Sequence, residues 1–340
     1  MSAAFPFITV VMPVRNEARF IADTLGQLRG QDYPKDRFEI LVADGMSDDG
    51  TRDIVSRIAA EDGRVRLLDN PKKRSSAGRN VGFRAGQGDY FVVVDGHCHI
   101  PSNFMLKNVA RLFHETGADC LGRPQPLTPP HIDNFQQAVA LARASRIGHG
   151  SDSLIYSDFE GYADPDSNGA AYSRNCIELV GFVDENFDAC EDVEYNLRVR
   201  KAGLKAYTSP SISIYYYPRD SLSKLFHQMF RYGIGRYRLL RKHKDTFSIL
   251  SIVPSFFAVG VLFFSILLIL IAFDFFSLET ALPLIVCFFI YIILIFVQSV
   301  KLSTHHGWKM LMLFPVIYST IHFGLGMGFL RELFARTARR

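Results

Sequence analysis

Short apolar runs alternate with segments of helical spacing over the first hundred residues. The runs at 8–12, 38–43, 65–68 and 90–94 predict strands, and Phe20, Ile21, Leu25 and Leu28 predict the first intervening helix. Pro13 is expected to end the first strand. Strand alternating with helix predicts an α/β fold with a doubly wound, mostly parallel sheet, in which ligands bind at the carboxyl ends of the strands.

Polar turn residues are expected to start the next two helices. Ser47, Asp48 or Asp49 can cap the second helix, and Ser75 or Ser76 can open the third. Asp44 and Asp95 each follow a predicted strand directly. Both carboxylates are therefore expected at the ligand-binding edge of the sheet.

The apolar pattern changes after residue 246, where charged residues become rare. Segments at about 249–273, 281–300 and 310–330 each reach the ~20 residues that cross a bilayer. We predict an α/β domain over 1–219, amphipathic interfacial helices over 220–246 and a transmembrane domain over 247–340. The first apolar run is short and ends at a proline, so no signal peptide is expected and the α/β domain should be cytoplasmic.

Charge around the three apolar segments gives a conflicting topology. The loop from Asp274 to Glu279 lacks Lys and Arg and should lie outside, whereas Lys301 and Lys309 should lie inside. If the third segment spans, its C-terminal arginines end up outside, against the positive-inside rule; these are Arg331, Arg336, Arg339 and Arg340. Pro315, His322 and the glycines at 324, 326 and 328 would permit a broken or re-entrant helix packed on its neighbours.

Cysteine content and net charge argue against a disulfide-stapled protein and against a nucleic-acid-binding protein. The five cysteines contain no C-x-x-C pair and are expected to be reduced packing residues. A net charge of +4 without a basic, aromatic-rich run gives no indication of nucleic-acid binding.

Asp95, Gly96 and His97 form a candidate metal site at the end of the fourth predicted strand. A carboxylate and an imidazole two positions apart can share a divalent cation if Gly96 lets the turn close. Mg²⁺ suits the oxygen ligand, and the imidazole shifts the preference towards Mn²⁺. The alternative is an ordinary strand-to-turn aspartate beside a surface histidine.

The chain carries six motifs in order, namely PVRNE, VADGMSDDGT, AGRNVG, VVVDGH, EDVEYNLRVRKAG and QMFRY. Together they resemble a family 2 glycosyltransferase of the GT-A fold, closest to the membrane-anchored, ExoA-like exopolysaccharide branch. The usual metal motif of the family has a second aspartate where this chain has His97, and the ExoA-like branch resembles this sequence in carrying histidine there.

The resemblance implies a donor side, an acceptor side and a base. Asp44 can accept from the uracil imide, Glu17 and Arg79 would line the nucleoside pocket, and Asp192 would be the base with Glu191 orienting the acceptor or raising the pKa of the base. Asn168 and Gly169 are expected in a turn at the acceptor loop. The remaining donor-side residues are Pro13, Arg15, Asp95, Gln228, Arg231 and Tyr232, the last three matching the QxxRW motif of the family with Tyr for Trp.

Purely structural roles for the same residues are the alternative. Glu17, Glu191 and Asp192 could be helix-start acids stabilised by the helix dipole, and Asp44 could be a turn residue. The aromatics and cations of 220–244 could serve only as interface anchors.

The expected activity is inverting transfer of a sugar, with glucose favoured, from a UDP-sugar to a hydroxyl of a polyprenyl-diphosphate-linked saccharide. Mn²⁺ or Mg²⁺ would be the cofactor, and the site would face the cytoplasmic side of the inner membrane. Membrane lipid is a further expected partner, and the oligomeric state is left open. The alternatives are a polyprenyl-phosphate glycosyltransferase and a catalytically inactive, membrane-tethered nucleotide-sugar-binding protein.

Overall fold

The computed structural model describes residues 5–149, 154–166, 168–273 and 278–337. Asp274, Arg339 and Arg340, on which part of the topology expectation depends, lie outside the described residues. The chain divides into two compact units. The first combines Met1–His131 with Asp152–Tyr217, and the second combines Ile132–Ser151 with Pro218–Arg340.

The first unit contains the strands and the helices that cover them. Its strands are β1 (Ile8–Val14), β2 (Phe38–Asp44), β3 (Val65–Asp69), β4 (Tyr90–Val93), β5 (Cys98–His99), β6 (Cys120–Gly122), β7 (Gly161–Tyr162), β8 (Gly169–Ser173), β9 (Ala206–Thr208) and β10 (Tyr215–Tyr216). Its helices of seven or more residues are α1 (Ile21–Arg29), α2 (Thr51–Glu61), α3 (Ser75–Ala85), α4 (Met105–Thr116), α7 (Arg174–Val180) and α8 (Glu191–Lys201). The helices α5 (Asn134–Ala144) and α6 (Arg146–His149) fall in the chain between α4 and α7 and belong to the second unit.

Eight of the described strands form one mixed sheet in the order β3-β2-β1-β4-β8-β6-β9-β7. The four N-terminal strands pair in parallel, as the alternating pattern predicts. β8 pairs antiparallel with both β4 and β6. Alternate residues of β1 point to opposite faces of the sheet. Val10 and Met12 belong to the hydrophobic core on one face, and Val11 belongs to the core on the other face. Asp44 ends β2 at the carboxyl edge of the parallel half.

The first strand does not end at Pro13, contrary to the expectation from sequence. Pro13 pairs with Ala43 of β2 and the strand continues to Val14, whereas the register with β4 ends at Val11 and Val93. Proline is tolerated here because β1 has a strand neighbour on only one side beyond that point.

The two predicted helix starts differ slightly from the structure. Gly50, at φ 94°, is the N-cap of α2, in place of Ser47, Asp48 or Asp49. Asp49 still accepts a hydrogen bond from the Thr51 backbone amide at 3.0 Å. Ser75 opens α3 as its first residue, as one of the two predicted options.

The second unit is helical and includes a segment that we predicted in the catalytic domain. Its other helices are α9 (Leu222–Lys242), α10 (Ile249–Ala272), α11 (Leu278–His306) and α12 (Leu313–Thr337). Helix α5 belongs to this unit because its apolar side chains share one core with α9 and α12; the residues include Ala138, Val139, Ala142, Leu225, Met229, Phe314, Ile317 and Ile321.

Among the described residues, three helices are long and apolar enough to cross a membrane, at Val253–Ile271, Ile285–His306 and Leu313–Ala335. The third segment is one continuous helix over Leu313–Thr337, so the break that its proline and glycines would permit does not occur. Pro315 lies in its first turn, where no intrahelical donor is lost. The glycines instead permit close packing, because a methyl group on Gly324 would lie 2.9 Å from Cβ of Met229 and one on Gly328 would overlap the carbonyl of Phe230.

Gly328→Ala should loosen the packing of α12 on α9. Overpacking of this kind costs about 1–3 kcal/mol, so the apparent melting temperature of the purified protein in detergent should fall. Gly260→Ala is the matched control, because a methyl group on that helical glycine meets no atom within 4 Å. Equal melting temperatures for Gly328→Ala and Gly260→Ala would contradict the packing role.

Candidate active site

The loops that follow β1 and β2 are held together by hydrogen bonds. Asn16 adopts a left-handed conformation, with φ 57°, and its backbone amide donates to Ser47 Oγ at 2.8 Å. The Glu17 amide donates to Thr51 Oγ1 at 2.8 Å, and the Ala18 amide donates to Asp49 Oδ2 at 3.0 Å. The PVRNE and GMSDDGT segments therefore form one rigid rim at the carboxyl edge of the sheet.

Asp44 is completely buried at this edge, and its carboxylate already accepts several hydrogen bonds. Ser47 donates through its hydroxyl at 2.5 Å and its amide at 3.0 Å, and Arg52 donates through Nη1 at 2.8 Å. Arg52 also bonds Asp69, which ends β3. Asp44 thus organises the loop after β2, and its contact with a uracil ring stays a prediction.

The structure brings Glu17 and His97 together, a contact that the sequence did not predict. His97 Nδ1 lies 2.8 Å from Glu17 Oε1. Gly96 is required for this approach, because a methyl group there would lie 2.9 Å from Cγ of Glu17 and 3.1 Å from Cγ1 of Val14. From sequence, Gly96 was expected to let the turn close so that Asp95 and His97 could share a cation, and this role stays a prediction. Glu17 was expected in the nucleoside pocket.

The chemistry of this donor set fits a divalent cation. A neutral His97 that donates Nδ1–H to the Glu17 carboxylate carries its lone pair on Nε2, which is the usual arrangement of a metal-binding histidine. Asp95 is half-buried and supplies an oxygen donor. In the described residues no group of three or more His, Cys, Asp or Glu side chains lies close enough to enclose a metal ion. A cation held by Asp95 and His97 would therefore need further ligands, such as donor phosphate oxygens.

A buried ion pair joins α3 to α8. Arg79 Nη2 lies 3.5 Å from Glu191 Oε1, and both side chains are at least nine-tenths buried. Burial opposes the charge of Arg79, but the carboxylates of Glu191, Asp192 and Asp95 outweigh this effect and raise the pKa of Arg79. The guanidinium of Arg79 therefore interacts electrostatically with Glu191 and Asp192, which include the predicted catalytic base, and with Asp95, the predicted metal ligand.

The two acids at the start of α8 have different environments. Burial raises the pKa of Glu191, against the lowering effect of Arg79, and the negative charge of Asp192 raises it further. Asp192 is only half-buried, and its Oδ1 accepts a hydrogen bond from the Val193 amide at 2.9 Å. Asp192 is thus the member of the pair whose carboxylate is more accessible to a bound acceptor.

Four other residues were predicted on the donor and acceptor sides, and most of them have structural contacts in the fold. Pro13 is buried, and Arg15 is exposed on the loop that follows β1. Asn168 lies in a turn as expected, but it is buried and donates to Thr208 Oγ1 at 3.1 Å. Gly169 opens β8, and its carbonyl accepts from Tyr172 and Asn196. Both residues hold the sheet together in this structure, and their acceptor role stays a prediction.

The QxxRY residues lie on α9 in the second unit. Gln228 Nε2 approaches the Tyr232 hydroxyl at 3.5 Å, and the guanidinium of Arg143 lies 5.9 Å from the Tyr232 ring. Arg231 is exposed. Closure of these residues over a donor therefore stays a prediction.

Arg123 is a buried cation near Asp95 that sequence reasoning missed. Its Nη2 donates to the Val93 carbonyl at 2.7 Å and approaches the Tyr216 hydroxyl at 3.4 Å. Burial raises the pKa of Tyr216, the negative charge of Asp95 raises it further, and Arg123 lowers it. The sequence signal was weak, because Arg123 is a single arginine after a three-residue strand.

Comparisons with known proteins identify the family of this chain. The model of Glycosyl transferase family 2 matches residues 9–147. The chain is similar to the succinoglycan biosynthesis protein ExoA of Rhizobium meliloti, with 34% identity over 247 residues, which is 72% of this chain and 73% of that protein. It is also 26% identical over 336 residues, 96% of this chain and 97% of the relative, to a dolichyl N-acetyl-alpha-D-glucosaminyl phosphate 3-beta-D-2,3-diacetamido-2,3-dideoxy-beta-D-glucuronosyltransferase of Methanococcus voltae.

Solved structures support the same fold. The mannosyltransferase PcManGT of Pyrobaculum calidifontis, in complex with GDP-Man and Mn²⁺, aligns with a TM-score of 0.62 and 18% identity over 98% of this chain and 89% of that chain. S. aureus TarS 1–349 in complex with UDP-GlcNAc aligns with a TM-score of 0.50 and 15% identity over 98% of this chain and 92% of that chain. With strand-end acids on a mixed sheet and an ExoA relative matched over most of its length, the chain belongs to glycosyltransferase family 2, in its membrane-anchored, ExoA-like branch.

Proposed function

We propose that this protein is an inverting glycosyltransferase that transfers a sugar, with glucose favoured, from a UDP-sugar to a hydroxyl of a polyprenyl-diphosphate-linked saccharide. The observation that carries the proposal is the placement of Glu191, Asp192 and Asp95 close to the buried guanidinium of Arg79, which pairs with Glu191 at 3.5 Å. This arrangement supplies an accessible carboxylate for the acceptor beside the residues expected to bind the donor diphosphate. The ExoA relative supports a role in exopolysaccharide assembly.

The acceptor is inferred from the chemistry of the site and from a relative. Sugar hydroxyls are weak nucleophiles at neutral pH, so a positioned carboxylate is needed to remove the proton during attack. The Methanococcus voltae relative acts, by its name, on a dolichyl-linked sugar phosphate, which favours a lipid-linked saccharide here. Three apolar helices support action at a membrane, and we place the catalytic unit on the cytoplasmic side of the inner membrane.

The mechanism assigns one step to each group of residues. The acceptor oxygen attacks C1 of the donor sugar from the face opposite the leaving diphosphate, while Asp192 takes the hydroxyl proton. The bond from C1 to the diphosphate oxygen breaks and the nucleoside diphosphate leaves, so the sugar is joined to the acceptor with inverted configuration at C1. Arg79 and Glu191 keep Asp192 in place. A divalent cation held by Asp95 and His97, Mn²⁺ or Mg²⁺, would neutralise the diphosphate when bound.

Asp95→Asn should abolish the part of UDP affinity that depends on Mn²⁺, because it removes the anionic oxygen ligand. His97→Asp should retain Mn²⁺-dependent binding, with a possible change in preference towards Mg²⁺. Glu17→Gln should weaken Mn²⁺ binding by roughly 10–100-fold, because it removes the group that orients His97. Isothermal titration of UDP with and without Mn²⁺ measures all three effects.

Asp23→Asn is the control for that titration, because Asp23 is an exposed acid on α1. It should bind UDP and Mn²⁺ as the parent does. Undiminished Mn²⁺-dependent UDP affinity in Asp95→Asn would exclude Asp95 as a metal ligand.

Asp192→Asn should lower the transfer rate by roughly 10²–10⁴-fold, the usual contribution of a general base. UDP affinity should stay near that of the parent, because the carboxylate faces the acceptor. The measurement is sugar transfer from UDP-glucose to lipid-linked saccharides in membrane extract, with a panel of other UDP-sugars and GDP-mannose as competing donors. Glu178→Gln, an exposed acid on α7, is the matched control.

The same assay separates the alternatives. If Asp192→Asn transfers within a factor of a few of the parent while folded Glu191→Gln is inactive, the base is Glu191. Transfer to polyprenyl phosphate in preference to lipid-linked saccharide would favour the polyprenyl-phosphate glycosyltransferase. Donor binding without any turnover would favour the inactive nucleotide-sugar-binding protein.

A further inference from the structure

The third apolar helix, α12, carries a charge pattern that does not fit a membrane-spanning segment. Arg331 is exposed near its end, and three more arginines follow at 336, 339 and 340 in the sequence. If α10, α11 and α12 all crossed the bilayer, this cluster would lie on the side opposite to α9. Arginine clusters next to spanning helices are normally retained on the cytoplasmic side.

Helices α9 and α12 run side by side in the same direction. The Phe226 ring lies 6.3 Å from the Phe323 ring near the start of the contact, and the Tyr237 ring lies 5.1 Å from the Phe329 ring further along. Arg238 Nε donates to Glu332 Oε1 at 2.9 Å at the far end. The glycines at 324 and 328 on α12 and at 233 on α9 bring the two backbones together. The two helices therefore share one orientation relative to any membrane.

Helix α9 is too charged to enter hydrocarbon. It exposes five cationic side chains along its length, at Lys224, Arg231, Arg236, Arg241 and Lys242. Charged side chains are strongly unfavourable at the centre of a bilayer, whereas a helix with an apolar stripe and exposed cations is stable at the headgroup level. Because α12 is packed along α9, a spanning orientation of α12 would draw these cations into the membrane.

Helices α10 and α11 form an antiparallel pair. One end of this pair, which we call its base, contacts α12. The Phe264 and Phe288 rings stack at 4.8 Å between them. Near the start of α10, Ala258 and the Pro254 carbonyl approach Gly326 closely, and on α11 the Tyr291 hydroxyl lies 3.0 Å from His322 Nδ1. Further from this base, Phe263, Ile266 and Ile269 of α10 and Phe289 of α11 are more than half exposed.

Burial and hydropathy separate α12 from the other two apolar helices. In the candidate span on α12, 44% of the residues are buried inside the protein, whereas the shares are 17% on α10 and 11% on α11. The candidate span on α12 is also less apolar than those on α10 and α11. The apolar residues of α12 are thus largely used to pack on protein, whereas those of α10 and α11 face outward, as lipid-exposed residues do.

We propose that α10 and α11 are the two membrane-crossing helices and that α12 lies with α9 along the membrane surface. Together α9 and α12 form a basic platform for the phosphate headgroups of one leaflet. Arg331 then lies on the same side as α9, in agreement with the positive-inside rule. This inference goes beyond the proposed transfer reaction and does not depend on it.

Cysteine accessibility tests this arrangement in the full-length chain. In a Cys287→Ser background, which removes the exposed cysteine, single cysteines are introduced by Ser223→Cys on α9, Glu279→Cys on α11, and Arg331→Cys or Phe334→Cys on α12. Sealed spheroplasts of a bacterial host are treated with a membrane-impermeant maleimide before and after lysis. Two sites on α12 are used so that one local contact cannot hide the result.

The proposal requires that positions 331 and 334 report the same side as position 223, and the side opposite to position 279. We expect the cysteine at 279 to react in sealed spheroplasts and the other three to react only after lysis, with at least a tenfold difference in labelling. Labelling of 331 or 334 together with 279, while 223 stays protected, would show that α12 spans and would overturn the proposal. Because no step measures sugar transfer, loss of the proposed activity would leave this result unaffected.

Discussion

The catalytic unit depends on one buried cation, Arg79. Its guanidinium pairs with Glu191 and stands in the field of Asp192 and Asp95, so it compensates carboxylates that would otherwise repel one another. These acids come from α8 and from the turn after β4, and Arg79 comes from α3. Breaking a buried pair of this kind leaves an uncompensated charge and costs about 3–5 kcal/mol. One side chain therefore links three elements that must keep their positions for the chemistry.

The placement of Arg79 is itself a consequence of small residues in the AGRNVG segment. Gly78 and Gly82 let α3 lie against Pro13 and Val11 of β1, where a methyl group would meet side-chain carbons. Asn80 exchanges two hydrogen bonds of 2.9 Å with the backbone of Val183 and so ties α3 to the segment that precedes α8. The motif thus combines close helix-to-sheet packing, a buried charge and a fixed connection to the segment that leads into α8.

The local pattern of apolar and polar residues was sufficient to predict those elements that are determined by residues close together in the sequence. Buried runs predicted β1 to β4 and the strand-end position of Asp44, and the apolar segments predicted α10 and α11. The resemblance of ordered motifs supplied the family, which the comparisons confirm. Contacts between distant residues were beyond this reasoning. The approach of His97 to Glu17 spans 80 residues, and that of Arg238 to Glu332 spans 94. Likewise, nothing in the composition of α5 indicates that its core partners lie on α9 and α12.

The position of α5 in the chain has a consequence for biosynthesis. Its apolar residues pack on α12, and the hydroxyl of Ser145 meets that of Tyr318 across 173 residues of sequence. During translation α5 therefore emerges long before the helix that covers it, and its apolar face is exposed to solvent, chaperones or lipid for most of chain synthesis. Closing so long a loop is entropically costly and slow. Completion of this core is thus a folding event that must wait for the synthesis of α12.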